Sequence, residues 1–337
     1  MHSRIRTLVA AALTTTAAIT GAVTLAPTEA ATATTPPLSA STVRTATAAQ
    51  VFGGGLYVQP DSQPAQAAAQ LSAQGRSTEA AAARTIARQP IAIWLGEWFT
   101  GDLLDRIVAR NLAAAEAAGT TPVFVTYAVP NRDCGGYSAG GLSPADYTAW
   151  NQQIADDLRG HRAVVLVEPD SLSHLTTCTS EAATRPALIA AAVDAFAAGG
   201  VPAYLDGGNE AWNAPALQAS LLQQAGIAKA RGFFTNVSNF YGVDGERAYA
   251  DRLSALTGGS HYVIDVSRNG RGWLGTWCNP TGAGLGQAPH ATAGTGALDA
   301  LLWVKTPGAS DGTCNGGPAA GTWWPSYAVA LVANAKR

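Results

Sequence analysis

Glu168 and Asp170 stand on either side of Pro169 and directly follow the aliphatic run Val164-Val165-Leu166-Val167. A run of that kind bounded by proline reads as a buried strand of a parallel sheet. Pro169 fixes its own φ and disfavours helix at Glu168, so the chain leaves the sheet on a stiff bend. Asp170 then falls at the carboxyl end of a strand, where parallel α/β folds hold their chemistry. A carboxyl group set beside apolar surface keeps a raised pKa and suits proton donation. The competing role for an Asp at such a position is to cap the helix that follows.

Other apolar runs end in similar groups. Pro130-Asn131-Arg132-Asp133-Cys134 follows one, and Asp206-Gly207-Gly208-Asn209-Glu210-Ala211-Trp212 another. Further along come Asn236-Val237-Ser238-Asn239, then Asp265 with Ser267-Arg268, then Lys305 and Asp311. These acids and amides are expected to crowd one rim of a barrel, with Trp94, Trp212 and Trp277 beside them. Several carboxylates with an aromatic lining, and no nucleophilic Ser or Cys motif, suit glycoside hydrolysis. That reaction needs one carboxylic acid to protonate the leaving oxygen and a second carboxylate to activate water or attack the sugar. Crowding keeps one carboxyl protonated near neutrality. The chemical rival is a divalent-ion site of Asp and Asn oxygens, but its dense loop of alternating acids is absent. The five histidines are scattered and no Cys-x-x-Cys occurs, so neither a metal nor another cofactor is expected.

The positioning elements follow from the patterning. Short apolar runs at residues 91–94, 121–127, 163–167, 201–205, 232–236, 262–266 and 300–304 predict seven strands. Helical periodicity lies between most of them, at 102–118, 144–159, 185–198, 214–229 and 246–255. Strand and helix in alternation, with right-handed crossovers, build a parallel sheet covered by helices. No Gly-x-Gly-x-x-Gly follows an early strand, which disfavours a dinucleotide-binding open sheet and favours a distorted seven-stranded β/α barrel.

Residues 1–30 have the form of a secretory signal: Arg4 and Arg6, an apolar Ala/Thr-rich span, then Thr28-Glu29-Ala30. Residues 31–50 are Ala/Thr/Pro/Ser-rich and predict a flexible leader. Residues 51–337 remain as one catalytic or binding domain. Charged residues make up 13% of the 337 and the net charge is −2, so nothing points to nucleic acid, nor to a membrane once the signal is removed. A secreted monomer is expected. Export makes Cys134, Cys178, Cys278 and Cys314 candidates for two disulfides, with three pairings open. Nine Trp in a chain this poor in charge are either core or flat platforms for a ligand with apolar faces.

The segment from Val125-Thr126-Tyr127 through Pro130-Asn131-Arg132-Asp133-Cys134 to Gly141, together with residues 164–173, resembles the two signature segments of glycoside hydrolase family 6. Its members are inverting β-1,4-glucanases, and the likeness extends to secreted actinobacterial endoglucanases. The similarity spans most of the domain and includes Tyr204-Leu205-Asp206, Thr235-Asn236-Val237-Ser238-Asn239 and Leu301-Leu302-Trp303-Val304-Lys305. It implies a distorted seven-stranded α/β barrel and a β-glucan or cello-oligosaccharide partner. By the same resemblance Asp170 is the general acid and Asp133 supports its protonation. Asp206 belongs to the network around the acid, Asp311 is the base or base relay, and Tyr127 presses on the distorted sugar. Lys305, Asn236, Asn239, Asn209 and Ser138 become sugar contacts, and Trp94, Trp212 and Trp277 become platforms. Disulfides Cys134–Cys178 and Cys278–Cys314 are also implied. Glu168 is expected to be buried and hydrogen-bonded, Trp303 to be core, and Trp323 and Trp324 to pack at the last helix.

Two positions depart from the family pattern, Asn209 where His is usual and Ala309 where Glu is usual. They lower the expected activity or shift the substrate toward mixed-linkage or decorated β-glucan. A binding protein that has kept the cleft is the rival from outside the enzymes. Only residues 312–322 separate Asp311 from Trp323, and so short a loop predicts an open cleft and internal cleavage.

Overall fold

The computed structural model describes residues 38–335 apart from Ala40. The expected signal segment and the first part of the expected leader lie outside the described residues. Eight strands form one sheet in the order β1-β2-β3-β4-β5-β6-β8-β7. They are β1 (Ile93–Gly96), β2 (Val123–Tyr127), β3 (Val164–Val167), β4 (Ala203–Asp206), β5 (Gly232–Thr235), β6 (His261–Asp265), β7 (His290–Ala291) and β8 (Leu298–Leu302). Seven pair in parallel; β7 alone is antiparallel, against β8. The seven parallel strands are those the apolar runs predict, and β7 is a two-residue pairing too short for any periodicity to mark. The sheet curls until Ile91 bridges Trp303, with the Ala92 N–H donating to the Trp303 carbonyl at 2.9 Å. A single bridge in place of a full ladder is what distorts the barrel.

The strands alternate their faces as a pleated chain must. In β3, Val164 and Leu166 join Val125, Tyr204, Phe234 and Val263 inside the barrel. Val165 and Val167 face outward into the layer shared with Ile154, Ile189 and Phe196 of the helices. Both faces are therefore buried, which is why the run is unbroken by polar residues. The covering helices are α4 (Asp102–Ala117), α5 (Pro144–Leu158), α6 (Arg185–Ala198), α7 (Pro215–Gln224) and α8 (Val243–Leu256). α7 stops at Gln224 rather than 229, where Gly226 turns the chain at φ +82°. α8 begins earlier than its apolar pattern predicts, with Asp244 and Glu246 in a first turn that favours negative charge.

The expected flexible leader is corrected over its described part. Val43, Ala46, Ala48, Val51 and Phe52 are buried, and Ala46, Val51 and Phe52 plug the amino end of the barrel interior. The short helix α1 (Ala48–Val51) is held by a capping box between Thr47 and Gln50. Arg231, at the start of β5, donates to the Val43 and Arg44 carbonyls at 3.1 and 2.9 Å. An Ala/Thr-rich composition conceals a few well-spaced apolar residues that have somewhere to go.

Helices α2 (Gln63–Ala73) and α3 (Ser77–Ala87) precede β1, and α3 packs against α9 (Pro325–Ala333). Trp323 and Trp324 precede α9 and pack on the core, while Trp303 is buried. Cys134 is joined to Cys178 and Cys278 to Cys314, the pairing implied by the resemblance. No described helix is long and apolar enough to cross a membrane.

Candidate active site

The loops leaving the carboxyl ends of the strands hold several residues in backbone conformations that L side chains rarely adopt. φ is +56° at Asp133, +53° at Glu168, +69° at Asp170, +64° at Asn236 and +60° at Ser238. Each costs on the order of 1–3 kcal/mol, so neighbouring bonds must enforce it.

Buried strand-end side chains supply those bonds. Glu168 is fully buried and accepts the Ala128 and Val129 N–H groups at 3.0 and 3.1 Å, pinning the loop after β2. Burial pushes its carboxyl up to about 7 against those two bonds. Asp206 accepts the Leu172 and Ser173 N–H groups at 3.1 and 2.8 Å, fixing the chain just after Asp170, and the Gly208 N–H at 3.0 Å. Asp265 gathers the N–H groups of Ser238, Ser267, Val304 and Lys305 within 3.2 Å. Asn236 donates to the Tyr241 and Asp265 carbonyls and accepts the Tyr241 N–H at 3.2 Å. Asn236 and Asp206 consequently stand behind the cleft wall. The sugar contact expected of Asn236 is replaced by a clamp on its own loop, because every polar atom of its amide is already engaged with backbone.

Asp170 and Asp311 occupy opposite electrostatic settings. Burial raises the Asp170 carboxyl well above the ordinary carboxylate range. The charges of Asp206, Asp133 and Asp311 push the same way, and Lys305 opposes them. Asp311 is buried, while Asp170 is partly open to the cleft, and at Asp311 the cations win. Arg268 donates to its Oδ2 at 2.8 Å, Lys305 Nζ lies 3.1 Å from Oδ1, and the Asn279 N–H donates at 3.0 Å. Desolvation alone would raise this carboxyl, yet Arg268 and Lys305 hold it below its usual value. Two carboxyls facing one cleft are thus driven apart, one toward the acid and the other toward the anion.

The cleft that joins them has a volume of about 1320 Å³. Asp133, Tyr127, Ser138, Asn209, Asn239, Lys305, Trp94, Trp212 and Trp277 all line it, with Asp170 and Asp311. Asp133 accepts the Ser138 N–H at 2.8 Å, which folds its own loop back on itself. Trp94 donates its indole N–H to the Val304 carbonyl at 2.8 Å and meets Tyr127 edge to face at 5.0 Å. Arg132 lies over the Tyr127 ring at 4.3 Å and is ion-paired with Glu97. His174 meets Trp212 edge-on at 4.9 Å, and burial lowers its pKa. Asn209 accepts the Ala211 N–H, and Ala309 presents only a methyl group to the cleft. Nothing in the sequence separates Glu97, Trp98, His174, Tyr241 or Trp273 from ordinary loop residues, yet all five reach the wall. For Trp98 and Trp273 alone the high Trp count of the chain is a signal, and it does not say which Trp reach the wall.

A parallel barrel whose rim gathers carboxyls driven in opposite directions by their surroundings, inside an aromatic-walled cleft, defines a glycosidase type of site. The family model for glycosyl hydrolases family 6 matches residues 52–335. The chain is 40% identical over 282 residues to endoglucanase A of Cellulomonas fimi, covering 84% of this chain and 62% of that enzyme. It spans, therefore, less than two thirds of that relative's length. Exoglucanase 3 of Agaricus bisporus is 30% identical over 336 residues, covering 80% of this chain and 75% of the relative. Among solved structures, the endoglucanase Cel6 of Mycobacterium tuberculosis in complex with methyl-cellobiosyl-4-deoxy-4-thio-β-D-cellobioside superposes with a TM-score of 0.77. The two are 39% identical, and the match covers 83% of this chain and 96% of that one. The protein belongs to family 6 of the glycosyl hydrolases.

Proposed function

We propose that the protein is a secreted, inverting endo-β-1,4-glucanase acting on cellulose or a related β-glucan. The observation that carries this reading is the split between Asp170, whose carboxyl burial and acidic neighbours push upward, and Asp311, whose carboxyl the adjoining Arg268 and Lys305 hold down. Asp170 gives its proton to the glycosidic oxygen as the bond to the anomeric carbon breaks. Water attacks that carbon from the opposite face, and its proton leaves toward Asp311, directly or along a water chain. Asp133 and Asp206 maintain the acid by charge, and Asp206 also fixes the chain behind it. Tyr127, braced by Arg132 and Trp94, bears on the ring at the reacting centre, while Trp94, Trp212 and Trp277 offer platforms. Lys305, Asn209, Asn239 and Ser138, which line the cleft, bond sugar hydroxyls in this reading.

Internal cleavage is supported by the short loop of residues 312–322. Asn279 holds it at the Gly312 and Cys314 carbonyls, at 2.8 and 3.1 Å, and the Cys278–Cys314 disulfide adds a second tie. One contact favours a second reading, attack from chain ends under a partial roof. A Cβ on Gly312 would come within 2.4 Å of the Tyr137 ring, so the loops after β2 and β8 touch. Viscometry of a soluble cellulose ether, run alongside reducing-end release, separates the two. Viscosity falling well ahead of new reducing ends supports internal cleavage; the two moving in proportion supports chain-end attack. Release of no reducing ends by the pure protein would overturn both.

A further inference from the structure

The aromatic pair Tyr241–Trp273 lies in the cleft wall but has no part in the chemistry just described. The two rings stack at 4.9 Å with planes 3° apart. Trp273 is 42% exposed, and neither ring joins any of the hydrophobic core clusters. Leaving that much aromatic surface in water has no packing return.

The Tyr241 backbone beneath the stack is nonetheless firmly held. Asn236 grips Tyr241 at both backbone groups, donating to its carbonyl at 3.1 Å and accepting its N–H at 3.2 Å. Asn269 donates to the same carbonyl at 3.0 Å. Asn236 is itself held at φ +64° and is fully buried, so a strained backbone position is maintained behind an exposed ring. Order of that kind lowers the entropy lost when a ligand settles on a surface. The cleft is continuous from Asp170 past Asn209 and Trp212 to these rings, which stand on the loops after β5 and β6.

We propose that the Tyr241–Trp273 stack is a further sugar platform. It takes one glucosyl unit of a β-linked glucan beyond those seated at Trp212, and makes affinity depend on chain length. Flat, apolar ring faces of defined orientation match the C–H faces of a β-linked pyranose, and no charged side chain is needed. This inference rests on the glucanase reading of the same cleft.

The test compares wild type, Trp273→Ala and Trp273→Phe on cellotriose and cellohexaose, with calorimetric binding of cellohexaose to Asp170→Asn with and without Trp273→Ala. Because Trp273 lies outside the core, its truncation is expected to leave the fold intact, checked by an unchanged Tm. Trp273→Ala should raise KM for cellohexaose and weaken its binding roughly tenfold, the effect of one lost aromatic contact. Cellotriose kinetics should not change, and Trp273→Phe should recover most of the loss. Equal kinetics on both sugars in all three proteins would overturn the platform while leaving the glucanase reading standing. No turnover by wild type on any β-glucan would overturn the glucanase reading, and calorimetry would still decide whether the stack holds sugar. A Tm loss in Trp273→Ala with proportional loss on both sugars would assign the stack to stability and refute the proposal.

Discussion

Replacing Asp170 by Asn separates chemistry from folding more cleanly here than in most buried acid sites. The substitution is isosteric, and the groups that act on Asp170 do so by desolvation and through-space charge, with no hydrogen bond among them. An amide at this position therefore orphans no partner. A carboxyl whose folded-state pKa is raised takes up protons on folding, so its ionisation destabilises the fold as pH climbs through the raised value. Asn carries no such charge, and Asp170→Asn should match or exceed wild-type Tm at neutral pH. Activity moves the other way. Losing general acid assistance typically removes a factor of 10² to 10⁴, or about 2.7–5.4 kcal/mol of transition-state stabilisation. A cellobioside with a dinitrophenolate leaving group needs no protonation and should lose far less than a cello-oligosaccharide. The assay is kcat on both substrates with a thermal melt at pH 7. Equal losses on both leaving groups, or a marked fall in Tm, would refute the role given to Asp170.

Asp206→Asn should move the alkaline limb of the pH–rate profile to lower pH, because one of the charges that raises Asp170 is gone. It should also cost about 1–3 kcal/mol of stability, since an amide nitrogen would face one of the backbone N–H groups that Asp206 accepts; a profile unmoved in pH would contradict the coupling. Deleting the chain through Phe52 strips Val51 and Phe52 from the barrel floor, and with them buried Val43 and two acceptors of buried Arg231. At about 1.5–3 kcal/mol per buried apolar side chain the loss is about 5 kcal/mol or more. A thermal melt of the truncated protein equal to the full-length one would restore the reading of this segment as a free leader.

Much of this architecture is legible in the chain because the physics is local. Val164 to Val167 are four aliphatic residues in a row, and the only place that suits them is a strand buried on both faces. The carboxyls that follow such strands must then share one rim. What each rim residue does there is not local. Asp170 and Asp206 both follow parallel strands, yet one opens to the cleft while the other spends both oxygens on backbone N–H groups of two loops. Asn236 looks like a sugar ligand until the path of residues 237–241 brings the Tyr241 backbone back to it. The plug at residues 43–52 hides for the opposite reason. Composition averages its few buried side chains against many threonines and alanines, whereas Arg231 finds its carbonyls across 188 positions of sequence. Cleft residues such as Trp98 and Trp273 stand on loops, where no periodicity says which way a ring will face.

The central claim is that Asp170 delivers a proton while water attacks the opposite face of the same sugar, and the anomer of the fresh product reports on it directly. Proton NMR of cellohexaose with the mature enzyme, read before mutarotation, should show the α-anomer appearing first, with several product lengths together. First appearance of the β-anomer would contradict single displacement by water. Shifted sugar resonances without any cleavage would mean that the changes at Asn209 and Ala309 have left a cleft that binds glucan and does not cut it.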